Sequence, residues 1–165
     1  MVGNEPFLRY IPFLRQRPHA MARVLGSAAY PGISGTVSFY QTERGVLVAA
    51  EICGLPHTGG PCGGGIFAFH IHSGGQCSGN EKDPFANALA HYDRDDCPHP
   101  AHAGDLPPLF ENRGYAFQMF LTGRFSLCEV IGKTVIIHSR PDDFTSQPSG
   151  NAGSKIACGQ IRPLF

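Results

Sequence analysis

Hydrophobic and polar positions alternate in short runs along most of the chain. The segments Ala20–Leu25, Ile33–Tyr40, Val46–Ile52, Ile66–His72, Tyr115–Leu121, Val135–His138 and Lys155–Ile161 carry the pattern. Several alternate strictly, and several are rich in β-branched and aromatic residues, as half-buried strands are. A weaker eighth strand is predicted near Leu106–Glu111. Pro107 and Pro108 bring no backbone N–H to a ladder, which confines it to a sheet edge or a bulge. No segment keeps a 3.6-residue apolar period between caps, so no helix is predicted. Seven or eight short strands joined by turns predict an all-β fold, an antiparallel sandwich or barrel. Two long stretches interrupt the strands, Ser73 to about Leu106 and Ser139 to Ser154. Loops of more than about 15 residues inside a compact domain are usually functional or disordered. The first carries His, Cys and Asp throughout, which points to function.

Residues 1–18 read as an irregular N-terminal arm and residues 19–165 as one domain. The repeat Pro6-Phe7-Leu8 and Pro12-Phe13-Leu14 could dock on a surface or a partner subunit, or belong to a loosely held tail.

Composition narrows the class. Gly 21 and Pro 14 together make about a fifth of 165 residues, above the roughly 12% of average usage. With no Gly-x-y period and 42% hydrophobic residues, this is neither collagen nor a disordered chain but a turn-rich compact fold. Thirteen basic and thirteen acidic residues cancel. No basic stripe marks a nucleic-acid binder. No apolar run approaches the ~20 residues of a membrane-spanning helix, so no membrane partner is expected. The first residues are broken by Pro6, Pro12 and Pro18 and do not read as a signal peptide. Cytoplasmic and exported settings both stay open.

Eight histidines and six cysteines are the unusual counts. In Phe69-His70-Ile71-His72 two imidazoles stand at i and i+2 of a strand, on one face, where both can reach one metal ion. Downstream come His91, His99, His102 and Asp105. The short spacers between the last three span at most about 10–14 Å extended, and a metal site needs its ligands closer still. Three imidazoles and a carboxylate suit zinc. A polar loop with incidental histidines is the alternative. His138 ends the apolar run Val135-Ile136-Ile137 and alone reads as an ordinary strand-end residue. His19 and His57 read as surface residues.

Taken together these motifs resemble the copper/zinc superoxide dismutase family. Phe69-His70-Ile71-His72 resembles its two-histidine copper strand. Ala90-His91-Tyr92 with His99 resembles the bridging histidine and first zinc histidine. His102-Ala103-Gly104-Asp105-Leu106 resembles the family's H-x-G-D-L. His138, Asp142-Asp143 and the run Gly150-Asn151-Ala152-Gly153-Ser154-Lys155 to Cys158-Gly159 resemble its fourth copper histidine, the following loop and the final strand. The resemblance implies an eight-stranded antiparallel Greek-key β-sandwich or barrel with two long functional loops. It implies dismutation of superoxide to oxygen and hydrogen peroxide by redox cycling of a histidine-bound copper bridged to zinc. Copper would be held by His70, His72, His91 and His138, and zinc by His91, His99, His102 and Asp105. His91 would be the shared, catalytic imidazolate. Asp142 would link a copper histidine to a zinc histidine, His70 and His99 by position. Cys77 and Cys158 would form the intrasubunit disulfide. Lys155 stands where the family usually has Arg at the channel mouth, and would attract the substrate anion with weaker orientation. The family is often dimeric, so a homodimer is one implied assembly.

Some features depart from the family. His99 and His102 are closer in sequence than the family's corresponding pair, and the loop Ser139–Ser154 carries only Arg140, Asp142 and Asp143 as charges. Electrostatic steering is therefore expected to be small. Cys53 and Cys62 flank a Gly/Pro hairpin and could pair or stay free; Cys97, two residues before His99, and Cys128 are unassigned. A copper store, donor or coat-layer component of the same fold is the alternative to an active dismutase.

Overall fold

The computed structural model describes residues 16–57, 59–60 and 63–164. Cys62 and most of the predicted arm, residues 1–15, lie outside the described residues. The strands are β1 (Ala20–Gly26), β2 (Ser34–Thr42), β3 (Gly45–Cys53), β4 (Ile66–His72), β5 (Asp105–Phe110), β6 (Ala116–Thr122), β7 (Thr134–His138) and β8 (Lys155–Pro163). They form one antiparallel sheet in the order β5-β4-β7-β8-β1-β2-β3-β6. The sheet curls until its edges meet: Gln118 Nε2 on β6 donates to the Pro107 carbonyl on β5 at 2.9 Å. The result is a nearly closed barrel.

Alternation decides what fills it. On β3, Val46, Val48, Ala50 and Ile52 point inward, and their ladder partners follow, Val48 lying against Phe39 of β2 and Phe120 of β6. Phe39, Phe69, Ile71, Leu109 and Ile137 are fully buried in the same core. Each such side chain is worth about 1.5–3 kcal/mol of burial. The proline-bearing strand forms at the edge the prolines demand. Its pairing with β4 shifts register between Phe67 and Phe69, and the barrel seam uses a proline carbonyl, which proline still has.

Among the described residues, two short helical turns occur where none was predicted. Ala86–Ala88 is a 3-10 turn in the first long loop, and Leu127–Val130 forms a single α-turn, α1. The latter is capped locally: the Ser126 backbone N–H donates to the Glu129 carboxylate at 2.6 Å. Four residues are too few to show a 3.6-residue period, so patterning missed the turn while the Ser126/Glu129 spacing carried the signal. The Cys77–Cys158 disulfide ties the first long loop to β8, with Cα atoms 5.6 Å apart. Cys53, Cys97 and Cys128 are free thiols, so Cys53 is not paired with Cys62.

Candidate metal centre

Strands and loops deliver the site from four directions. β4 contributes His70 and His72, which are 0% and 2% exposed. β7 contributes His138 beside them, with His70 paired to Ile136 across the ladder. The first long loop folds back on β4: the Ile71 N–H donates to the Gly104 carbonyl, the Tyr92 N–H to the Ile71 carbonyl, and the Gly104 N–H to the Tyr92 carbonyl, all at 2.7–2.8 Å. A Cβ on Gly104 would collide with the Ile71 carbonyl, so only glycine permits this approach. That clasp sets His91 opposite His72 and leaves His99, His102 and Asp105 around it.

Two nests result. The ligand-type atoms of His70, His72, His91 and His138 lie within 4.8 Å of one another, and so do those of His91, His99, His102 and Asp105. His91 belongs to both. All seven residues are buried.

Hydrogen bonds fix which nitrogen of each ring is free. His72 Nδ1 donates to the Leu89 carbonyl at 2.7 Å and His138 Nδ1 to the Gly153 carbonyl at 3.3 Å. Their Nε2 atoms are then bare lone pairs, and they face each other at 3.2 Å. His70 Nε2 and His99 Nε2 donate to the two oxygens of Asp142 at 2.7 and 2.8 Å. The inward nitrogens, His70 Nδ1, His91 Nε2, His99 Nδ1 and His102 Nδ1, are buried without a hydrogen-bond partner. The zinc-type nest adds a carboxylate. Asp105 Oδ1 lies 2.8 Å from His91 Nδ1, and Oδ2 lies 3.1 and 3.3 Å from His99 Nδ1 and His102 Nδ1. Those last contacts are close enough for ion pairs but misaligned for hydrogen bonds, as when lone pairs converge on a point instead of on each other. Buried, unpaired polar atoms are costly. A cation at each nest satisfies them, so the donor set fits two metal ions.

The electrostatics agree. Burial, reinforced by neighbouring imidazoles, pushes His70 and His72 far below the usual histidine value, to about 2. Burial lowers His138 to about 4, against the opposing pull of its bond to Gly153. Burial alone would raise Asp105, but the His91 hydrogen bond and the surrounding histidines hold its carboxyl at about 2. Near neutral pH these three imidazoles are neutral and the carboxylate ionised, as metal ligands must be.

Several supporting residues were not legible in the sequence. Arg124 Nη1 donates to the carbonyls of Pro100, His102 and Asp105 at 2.9–3.2 Å and so holds the zinc-type loop in shape. Gln147 grips His99 through its backbone, accepting from its N–H at 3.0 Å and donating to its carbonyl at 2.7 Å. Asp83 pairs with Lys155 at 2.7 Å. These partners lie far apart in the chain, and no local motif announces them. His57, read as a surface residue, donates to the buried Glu111 carboxylate at 2.7 Å. Cys97 belongs to neither nest.

A cleft of about 590 Å³ opens over the first nest. His72, His91 and His138 form its floor, and Lys82, Asp83 and Lys155 line it. Lys155 Nζ is also held by the Phe85 carbonyl at 3.1 Å. The predicted anion-attracting lysine is thus at the mouth, but with a carboxylate partner.

The family profile described as copper/zinc superoxide dismutase matches residues 33–161. A copper–zinc superoxide dismutase of Aquifex aeolicus (strain VF5) is 34% identical over 146 residues, covering 79% of this chain and 80% of the relative. That of Photobacterium leiognathi is 32% identical over 142 residues, 78% of each chain. The structure of the copper/zinc enzyme from Brucella abortus superposes with a TM-score of 0.71 at 23% identity, over 86% of this chain and 98% of that one, which speaks to fold alone. A double mutant of a SOD-like protein from Bacillus subtilis gives the same TM-score at 25% identity, over 88% and 97%.

Proposed function

The chain belongs to the copper/zinc superoxide dismutase family, and we propose that His70, His72, His91 and His138 hold copper while His91, His99, His102 and Asp105 hold zinc. The protein is an oxidoreductase that converts two superoxide ions and two protons to oxygen and hydrogen peroxide. One observation carries the site reading. His91 turns Nδ1 to the carboxylate nest and its unpartnered Nε2 to the all-histidine nest.

Bound copper supplies a one-electron redox couple, and bound zinc a fixed positive charge beside His91. The protein's residues do the rest. His91 Nε2 sits at the floor of the cleft, where it can hold a proton and release it to the reduced product. Asp142 fixes the tilt of His70 and His99 together, so the two nests cannot drift apart. The Leu89 and Gly153 carbonyls fix His72 and His138 with their Nε2 atoms inward. Lys155 places a positive charge over the floor, where the anion arrives. The departure in spacing between His99 and His102 does not separate them, because Arg124 and Gln147 hold the shortened loop.

The test is direct. Purified protein loaded with both metals should bind one copper and one zinc per chain and remove superoxide catalytically. His138→Ala should lose copper and activity with the fold kept by circular dichroism, and Asp105→Ala should lose zinc. Full occupancy with no activity above free copper ions would leave a metal-holding role instead.

A further inference from the structure

Among the described residues, the outer face of the barrel carries an apolar cluster that is nearly fully buried. On β3, the residues between the inward Val46, Val48 and Ala50 point away from the core. These are Leu47 and Ala49, and they are only 2% and 8% exposed. Ladder pairing places Tyr40 of β2 and Leu121 of β6 beside Leu47, and Met119 of β6 beside Ala49. Tyr40 is 5% exposed, and Tyr40, Leu47, Ala49 and Met119 form an apolar cluster separate from the barrel core. Neighbours in the same sheet cover the flanks of an outward side chain but not its tip. Burial of Leu47 to this degree requires a layer above the sheet.

The chain itself supplies one candidate of the right length, place and composition. The His19 N–H donates to the Phe39 carbonyl at 2.9 Å, and the Gln41 N–H donates to His19 Nδ1 at 3.2 Å. The segment preceding Gln16 therefore starts close to Tyr40, on the β2 side of the patch. From β1 across to β6 is three strand spacings, about 15 Å. Fifteen residues reach up to ~50 Å. Phe7-Leu8, Tyr10-Ile11 and Phe13-Leu14 bring large apolar side chains at a near-regular three-residue interval. Residues 58, 61 and 62 belong to the connection after Cys53, at the far end of β3, and Phe165 is one residue against a patch three strands wide.

We propose that residues 7–14 of the N-terminal arm dock across the outer face of β2, β3 and β6 of their own chain, over Tyr40, Leu47, Ala49 and Met119. The arm then seals a face that would otherwise drive association between barrels.

Hydroxyl-radical footprinting of the full-length, metal-loaded protein reads side-chain access directly. Tyr40, Leu47 and Met119 should be modified little in the native chain and about fivefold or more in a Phe7→Ser, Phe13→Ser double variant, with inward-facing Phe39 protected in both. Continued protection of Tyr40 and Leu47 in a variant that keeps Phe39 protected would overturn the proposal. Should the variant unfold and expose Phe39 as well, photo-crosslinking in an otherwise native chain decides. A benzophenone side chain at position 13 should link to β2, β3 or β6 of the same chain. Links to any other segment, or to a second copy, would overturn it.

Discussion

Seven side chains make the two nests, and what orients them is one carboxylate and a few carbonyls. Asp142 is the most connected. It accepts from His70 and His99 and, at 2.7 Å, from the Phe144 N–H. Gly150 lies so close that any Cβ would press on Asp142 Oδ1 and come within 2.7 Å of His99 Nε2, and its φ of +67° suits glycine as well. Asp142→Ala leaves two buried imidazole N–H groups unpaired and both rings free to turn. Loss of such an outer partner costs about 10–100-fold in metal affinity. Chelator competition should therefore find copper and zinc both weakened in this variant; weakening of one metal alone would break the claimed coupling. The same burial sets a pH dependence for the metal-stripped protein. His70, His72 and His138 have folded values depressed below the ordinary 6.5. The folded state then binds fewer protons than the unfolded one, so stability is lost as pH falls below about 6.5, at up to ~1.4 kcal/mol per pH unit for each histidine. The His138 share should level off near its folded value of about 4. Urea titrations of the stripped protein between pH 7.5 and 5 measure this, and a flat profile would contradict neutral burial of the three rings.

At the scale of elements, the strands make a rigid floor and the loops bring chemistry to it. The Cys77–Cys158 bond closes a separation of 81 residues and anchors the first loop, a constraint worth about 4.5 kcal/mol on the chain-entropy model. That loop also carries Asp83 across the cleft mouth to Lys155. Asp83→Asn removes the negative charge and leaves the Phe85 carbonyl still holding Lys155. We expect kcat/KM for superoxide to rise about two- to fivefold at low salt and to fall more steeply with added salt. An unchanged or lower kcat/KM would mean that the carboxylate orients Lys155 more than it masks it. The strands were legible because alternation has a short period, and even Pro107 and Pro108 announced their edge position. The histidines of the two nests were legible because their spacing within each motif is local. Arg124, Gln147 and Asp83 were not, because each acts on a residue more than a dozen positions away, through a backbone carbonyl or a single charge. Their roles exist only once the barrel has closed. Lys155 shows the limit most clearly: its position at the mouth was readable and its partner was not.

For the whole molecule, the absence of net charge takes on a specific meaning at the cleft. Thirteen basic and thirteen acidic side chains leave no net charge to draw an anion from a distance. The lining of the cleft repeats the balance locally, with Lys82 and Lys155 set against Asp83 and Asp93. The second long loop adds little, since Asp142 is buried on two histidines and the exposed charges of Arg140 and Asp143 oppose each other. Field focusing by a charged cleft can raise association rates by about 10–10³, and salt removes that gain because the Debye length shrinks to about 8 Å at physiological ionic strength. A cleft without a net field has little gain to lose. Encounter then depends on diffusion to the mouth and on short-range capture by Lys155, whose charge is felt only inside the cleft. We therefore expect kcat/KM to change by less than about threefold between 10 and 300 mM salt. Stopped-flow decay of superoxide across that range is the measurement, and a tenfold or steeper fall would mean that the balanced charges are arranged to steer after all.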